Sequence, residues 1–151
     1  MTCIICKILE KIIKEEMLVF INAHHIIKNS QHGFREGRSS LSNLLDFYYD
    51  VYESLDKSNS VDIIYLDFAK AFDKVPHERL VLKLQACRIG GNILRWIQNW
   101  LKDRRQRVNI KGVSSDWIKV ESGVPQGSVL GPLLFVIYIN DLEKNINSKV
   151  S

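Results

Sequence analysis

Cysteine, proline and histidine are all scarce in this chain. Its three cysteines, Cys3, Cys6 and Cys87, cannot all pair, and the N-terminus shows neither the basic start nor the small-residue cleavage site of a secretion signal. A reducing, intracellular setting, nuclear or cytoplasmic, is expected, with no disulfide-linked partner. Cys3 and Cys6 form a C-x-x-C, but Ile4 and Ile5 lie between them and no second pair completes a four-ligand site. Buried core thiols are expected there. Of the four histidines, His24 and His25 are adjacent and point different ways in either regular backbone, so no metal-binding histidine pair is visible. Long apolar runs are missing too. The best candidate, Val129 to Ile139, is broken by Gly131 and Pro132 and falls well short of the ~20 residues of a spanning helix. A buried core helix is expected instead, with no membrane contact, and because it is apolar on every side the rest of the fold must cover it.

What is present suits one globular domain. The 151 residues are 46% hydrophobic and 25% charged, enough to bury a real core. Lys and Arg number 21 against 17 Asp and Glu, a net charge of +4 that permits polyanion binding without proving it. Its placement is more telling. Lys102-Asp103-Arg104-Arg105-Gln106-Arg107 forms one cluster, and Arg35 and Arg38 flank glycines in another. A solvated surface explains both equally well.

Ile5, Leu9, Ile12, Ile13 and Met17 recur at helical spacing and predict an amphipathic first helix, with Lys7, Glu10, Lys14 and Glu15 between them. From Ile21 to Gly37 the pattern dissolves into an irregular segment. Ser39 and Ser40 offer an N-cap for a second helix, whose face is Leu41, Leu44, Leu45, Tyr48, Tyr52 and Leu55. Val61 to Leu66 is β-prone and bounded by turn residues, so a buried strand ending at Asp67 is expected. Pro76 suits a first helical turn, followed by Leu80, Val81 and Leu84 on one face and a Gly90-Gly91 stop. Ile93, Leu94, Ile97, Trp100 and Leu101 mark the next helix. Alternation in Arg105 to Ile110 and Trp117 to Val120, with Gly112 between, predicts a hairpin. No repeat, linker or composition shift divides the chain. Mixed runs of helices and strands argue for an α+β fold.

Asp67 is the sharpest candidate for chemistry, because a carboxylate closing an apolar strand needs a partner and a divalent cation supplies one. A capping or ion-paired aspartate is the plainer alternative. Asp62 would lie ~16 Å away on the opposite strand face, and Asp73 approaches only if Phe68 to Phe72 folds back. Gly123 to Pro132 holds three glycines and two prolines, so it is irregular and offers Gln126 on a backbone that can come close to a ligand. It lacks the Gly-Lys-Ser/Thr of a Walker phosphate loop. A structural turn remains open as the other reading.

Four ordered blocks carry a resemblance. They are Gln31 to Ser39 (QHGFREGRS), Tyr65 to His77 (YLDFAKAFDKVPH), Ser122 to Leu134 (SGVPQGSVLGPLL) and Tyr138 to Leu142 (YINDL). Together, over about Cys6 to Leu142, they closely resemble the reverse transcriptase of non-LTR (LINE-type) retrotransposons, with group II intron maturases as more distant relatives. The resemblance implies RNA-directed DNA polymerase activity on an RNA template, a DNA primer and dNTPs. It also implies a right-hand fingers and palm fold, with fingers in about residues 1–60 and palm, carrying inserted helices and the hairpin, in about 61–145. The aspartate matching Asp67 binds two Mg²⁺ ions, helped by the carbonyl matching Phe68. Such a pair, ~3.5–4 Å apart, clamps the attacking and leaving oxygens. Lys70 and Ala71 match amides facing the triphosphate, Phe72 a ring that would collide with a 2′-hydroxyl, and Gln126, with Gly127 after it, the contact beside the incoming nucleotide. Arg35 and Arg38 match a fingers motif near template and nucleotide. Arg104, Arg105 and Arg107 are candidate nucleic-acid contacts.

The match breaks at the aromatic-Ala-Asp-Asp hairpin and the thumb, neither of which is in the sequence, so two of the family's three metal carboxylates are absent. A single partial reverse transcriptase domain is expected, with an open palm edge, low solubility and no activity alone. Arg88 is a further departure, standing where many relatives have a glycine that favours a left-handed turn. A second reading is a non-catalytic RNA- or primer-binding module or relic, whose contacts with ~3–5 phosphates would weaken steeply with salt.

Overall fold

The apolar residues that repeat at helical spacing in the middle and at the end of the chain are the ones that meet in the core. A computed structural model describes residues 3–144 and 146–150. Along the chain run α1 (Ile4–Ala23), α2 (Ser40–Asp56), α3 (His77–Ala86), α4 (Gly91–Leu101), β1 (Arg105–Gln106), β2 (Asn109–Ile110), β3 (Val113–Ser114), β4 (Ile118–Lys119) and α5 (Gly131–Ile139). Helix α3 packs against both α4 and α5. Leu80 and Leu84 of α3, Leu94, Ile97 and Leu101 of α4, and Leu133, Leu134, Val136 and Ile137 of α5 are buried together. Burying each such side chain stabilises the fold by about 1.5–3 kcal/mol. Met17 and Ile21 join the cluster from α1, and Ile27, Val75, Ile89, Val124 and Leu130 from the connecting segments. The α+β composition is as expected, and no described helix is long and apolar enough to cross a membrane.

Helix ends follow their local chemistry. Ser39 caps α2 in a reciprocal capping box with Ser42. Helix α3 ends in two bonds, Arg88 N–H to Gln85 O at 2.8 Å and Ile89 N–H to Leu84 O at 2.9 Å. Arg88 takes φ +62° to make them, which is the left-handed stop that glycine suits best. The hairpin forms as anticipated, with Arg105 opposite Lys119 and Ile110 opposite Val113. Lys111 and Gly112, both at positive φ, make its tight turn.

Three expectations fail. Val61 to Leu66 is not a buried strand: the segment carries no strand pairing and every residue of it is exposed, Leu66 by 86%. A β-prone run becomes a strand only against a neighbour, and no described segment pairs with it. On the expected apolar face of α1 Met17 is buried and Ile13 half-buried, with Glu10 and Ile21 buried beside them, but Ile5, Leu9 and Ile12, nearer the start of the helix, are exposed. Cys3 and Cys6 share that position and are exposed, not core thiols. The Cys3 thiol donates to Cys6 Sγ at 3.1 Å, and the Cys6 backbone amide is the main cause holding the Cys3 thiol below its usual range. In α2 the face running from Leu41 to Leu55 forms as spaced, yet no residue of that helix is buried.

Candidate active site

Two segments far apart in sequence are joined edge to edge. The backbone N–H of Val124 donates to Phe72 O at 2.9 Å, Gly123 N–H to Val75 O at 2.8 Å, and Ser122 Oγ to Asp73 O at 2.8 Å. Gly123 makes the approach possible. Its φ is +91°, and a Cβ there would sit 2.7 Å from the Cα of Asp73, so no other residue fits without backbone movement. The Gly123 carbonyl then accepts from His77 Nε2 at 2.9 Å and Arg104 Nη1 at 3.0 Å. The Asp67 block and the Pro125-Gln126-Gly127 loop are thereby one structural unit.

On one side of this seam residues 69–74 form a turn. Lys70, at φ +54°, presents its carbonyl to the amides of Asp73 (3.0 Å) and Lys74 (3.1 Å). The Phe72 ring stacks on Phe135 of α5 with centroids 4.8 Å apart, and meets Phe34 edge-on at 5.8 Å. The Phe34 loop, the 69–74 turn and the core helix α5 therefore share one aromatic cluster. On the other side Gln126 and Gly127 are exposed at the loop tip. Below them Ser128 Oγ donates to Pro125 O at 2.6 Å and accepts from Gly131 N–H at 3.0 Å. A carboxylate that reads in the sequence as solvated closes the loop: Glu10 Oε2 accepts from the amides of Val129 (2.7 Å) and Leu130 (3.2 Å). The signal that could have found it is its spacing, three and seven residues before Ile13 and Met17, on their face of the helix.

The candidate cations divide into two groups. Arg104 is half-buried and spent on Gly123; burial pushes its guanidinium below the usual range, with Asp73 acting in the opposite direction. Arg35 is likewise turned inward, bonding Lys28 O at 2.7 Å and Gln31 O at 3.4 Å, which braces its own loop. Arg38, Arg105 and Arg107 are exposed. Arg38 lies 3.7 Å from Asp46, and Arg107 lies over the Trp117 ring, 4.6 Å from its centroid.

Asp67 is exposed at the end of the extended segment, followed by Phe68. Among the described residues no three His, Cys, Asp or Glu side chains gather as a metal site. One carboxylate and one carbonyl do not by themselves fit a pair of dications, which need six or more oxygen ligands each.

The reverse transcriptase (RNA-dependent DNA polymerase) family matches residues 1–151. The chain belongs to this family. A reverse transcriptase relative named probable RNA-directed DNA polymerase from transposon X-element, of Drosophila melanogaster, is 31% identical over 138 residues, 91% of this chain and 15% of that protein. The RNA-directed DNA polymerase from mobile element jockey of Drosophila funebris is 31% identical over 136 residues, 90% of this chain and 15% of its own length. A third, the probable polymerase from transposon BS of Drosophila melanogaster, is 29% identical with the same coverage, 90% and 15%. The resemblance to retrotransposon reverse transcriptases is thus confirmed, and this chain spans about 15% of the length of these relatives.

Proposed function

We propose that this chain supplies the nucleotide-side wall of an RNA-directed DNA polymerase that extends a DNA primer on an RNA template with dNTPs, in the nucleus or cytoplasm. The observation that carries the reading is the seam between Phe72–Val75 and Gly123–Val124, since it gives one rigid support to the two blocks whose resemblance points to nucleotide contact. In this reading residues 1–60 are part of the fingers and 61–145 part of the palm. Lys70 and Ala71 offer backbone to the triphosphate, Phe72 limits the sugar, and Gln126 with Gly127 lies against the base and ribose. Preorganised backbone donors stabilise charge that develops at phosphate oxygens. Mg²⁺, bound in part by Asp67 and the Phe68 carbonyl, would supply Lewis-acid stabilisation of the transferring phosphoryl group. The described residues do not complete that site, so no activity is assigned to the chain alone.

The test is primer extension with Mg²⁺, an RNA template and dNTPs. The chain alone is expected to give no product. Grafted in place of the matched segment of a jockey-type polymerase, it is expected to support extension, and Asp67→Ala to abolish it. An Asp67→Ala graft as active as its parent would overturn the reading. Exposed Arg38, Arg105 and Arg107 favour a second reading, a non-catalytic RNA- or primer-binding module. Such binding survives Asp67→Ala and weakens with salt with a log–log slope of about −3.

A further inference from the structure

Glu10 is wholly buried, at 0% exposure, where its helix otherwise buries only Met17 and Ile21. Burying a carboxyl group is costly unless its oxygens are bonded, and of the two oxygens of Glu10 only Oε2 is bonded, Oε1 being buried without a partner. Here the return is specific. A helix N-terminus leaves its first amides without partners, and α5 has no capping side chain at its own N-cap, Leu130. Glu10 Oε2 takes the amides of Val129 and Leu130, Ser128 Oγ takes that of Gly131, and the next residue, Pro132, has no N–H to place. The amides of Val129, Leu130 and Gly131 are thus each taken by a side chain, two of them from across 119 and 120 residues of sequence. Gln126 and Gly127 hang between this anchor and the one that Val124 makes on Phe72.

We propose that Glu10 is a positioning residue that sets the Gln126 loop from beneath. This rests on the proposed nucleotide role of that loop only for its kinetic consequence, not for the positioning itself. The leading end of the loop is held by the Phe72–Val75 backbone and the trailing end by a carboxylate of α1, so the orientation of Gln126 is decided by a residue that never meets the nucleotide.

The experiment compares Glu10→Gln, which keeps an oxygen acceptor, with Glu10→Met, which keeps the volume and removes it. In the full chain, amide exchange at Val129 and Leu130 should stay near the parent value in Glu10→Gln and speed up about tenfold to a hundredfold in Glu10→Met, with the Gln126 side-chain amide resonances shifting only in the latter. Unchanged exchange in Glu10→Met, or equal loss in both variants, would overturn the proposal. In the grafted polymerase Glu10→Met should raise the KM for dNTP about tenfold while Glu10→Gln restores it. A Gln126→Ala graft with an unaltered KM would count against the nucleotide reading alone and leave the exchange result standing.

Discussion

Phe72 stacks on Phe135 with ring planes 24° apart and centroids 4.8 Å apart, so a side chain from the Asp67 block rests on the buried final helix. Offset stacking adds about 0.5–1.5 kcal/mol to the area such rings bury. Phe72→Ala is expected to lower stability by about 2 kcal/mol, less than for a fully buried ring, as read by urea denaturation. In a grafted polymerase Phe72→Val should raise the ratio of ribonucleotide to deoxynucleotide incorporation, because a smaller side chain leaves room for the 2′-hydroxyl. An unchanged ratio removes Phe72 from sugar selection.

Gly123→Ala should be among the most damaging single changes. Its Cβ meets the Asp73 backbone at 2.7 Å and its φ is +91°. Strain and overpacking together cost about 3 kcal/mol. A denaturation midpoint within error of the parent would show that the seam yields more easily than its geometry implies.

Arg88→Gly is expected to stabilise the protein. The residue pays for a left-handed conformation at φ +62° that glycine adopts freely, worth about 1 kcal/mol once the greater freedom of unfolded glycine is subtracted. The measurement is the urea midpoint at constant m-value.

Acid should loosen the contacts that the loop after α1 and helix α3 make with the residues following α5. The Lys83 ammonium bonded to Asp141 holds that carboxyl below its ordinary value, and bonds from Ser30 first and then Lys28 do the same for Glu143. Carboxyls depressed in the folded state add stability above their unfolded pKa and lose it as the pH falls through the folded one. Stability from these two groups should be flat from pH 7 to about 5 and decline below about 4. Lys28→Met with Lys83→Met should flatten the decline, and both groups are exposed enough that salt should do so in part.

Much of the core was legible. Leu80, Leu84, Leu94, Ile97 and Leu101 repeat at helical spacing and are buried, the all-apolar run before Asn140 forms α5, and Gly112 marks the hairpin turn. Periodicity reports which face of a helix is apolar, not whether a partner reaches it. That is why Ile5 and Leu9, on the apolar face read from the spacing, are exposed, and why the Val61 to Leu66 run, sound in composition, has no strand paired with it. Within the candidate site the Gly123 loop stood out by its glycines and prolines, and Asp67 by its place after an apolar run. Arg104 and Arg35 did not announce that their guanidinium groups bond backbone carbonyls, since a basic cluster looks the same whether it faces solvent or its own chain. Glu10 was hidden for the converse reason, a charged letter on a face that turns inward.

The tie between Glu10 and Val129 also orders the birth of the molecule. A ribosome adding ~5–20 residues per second makes the acceptor and then takes on the order of ten seconds to finish the 119-residue separation to its donor. Throughout that interval Glu10 has been made and the amides it will bond have not. The trailing anchor of the Gln126 loop therefore closes only after Glu10 and the Phe72–Val75 segment have both been made.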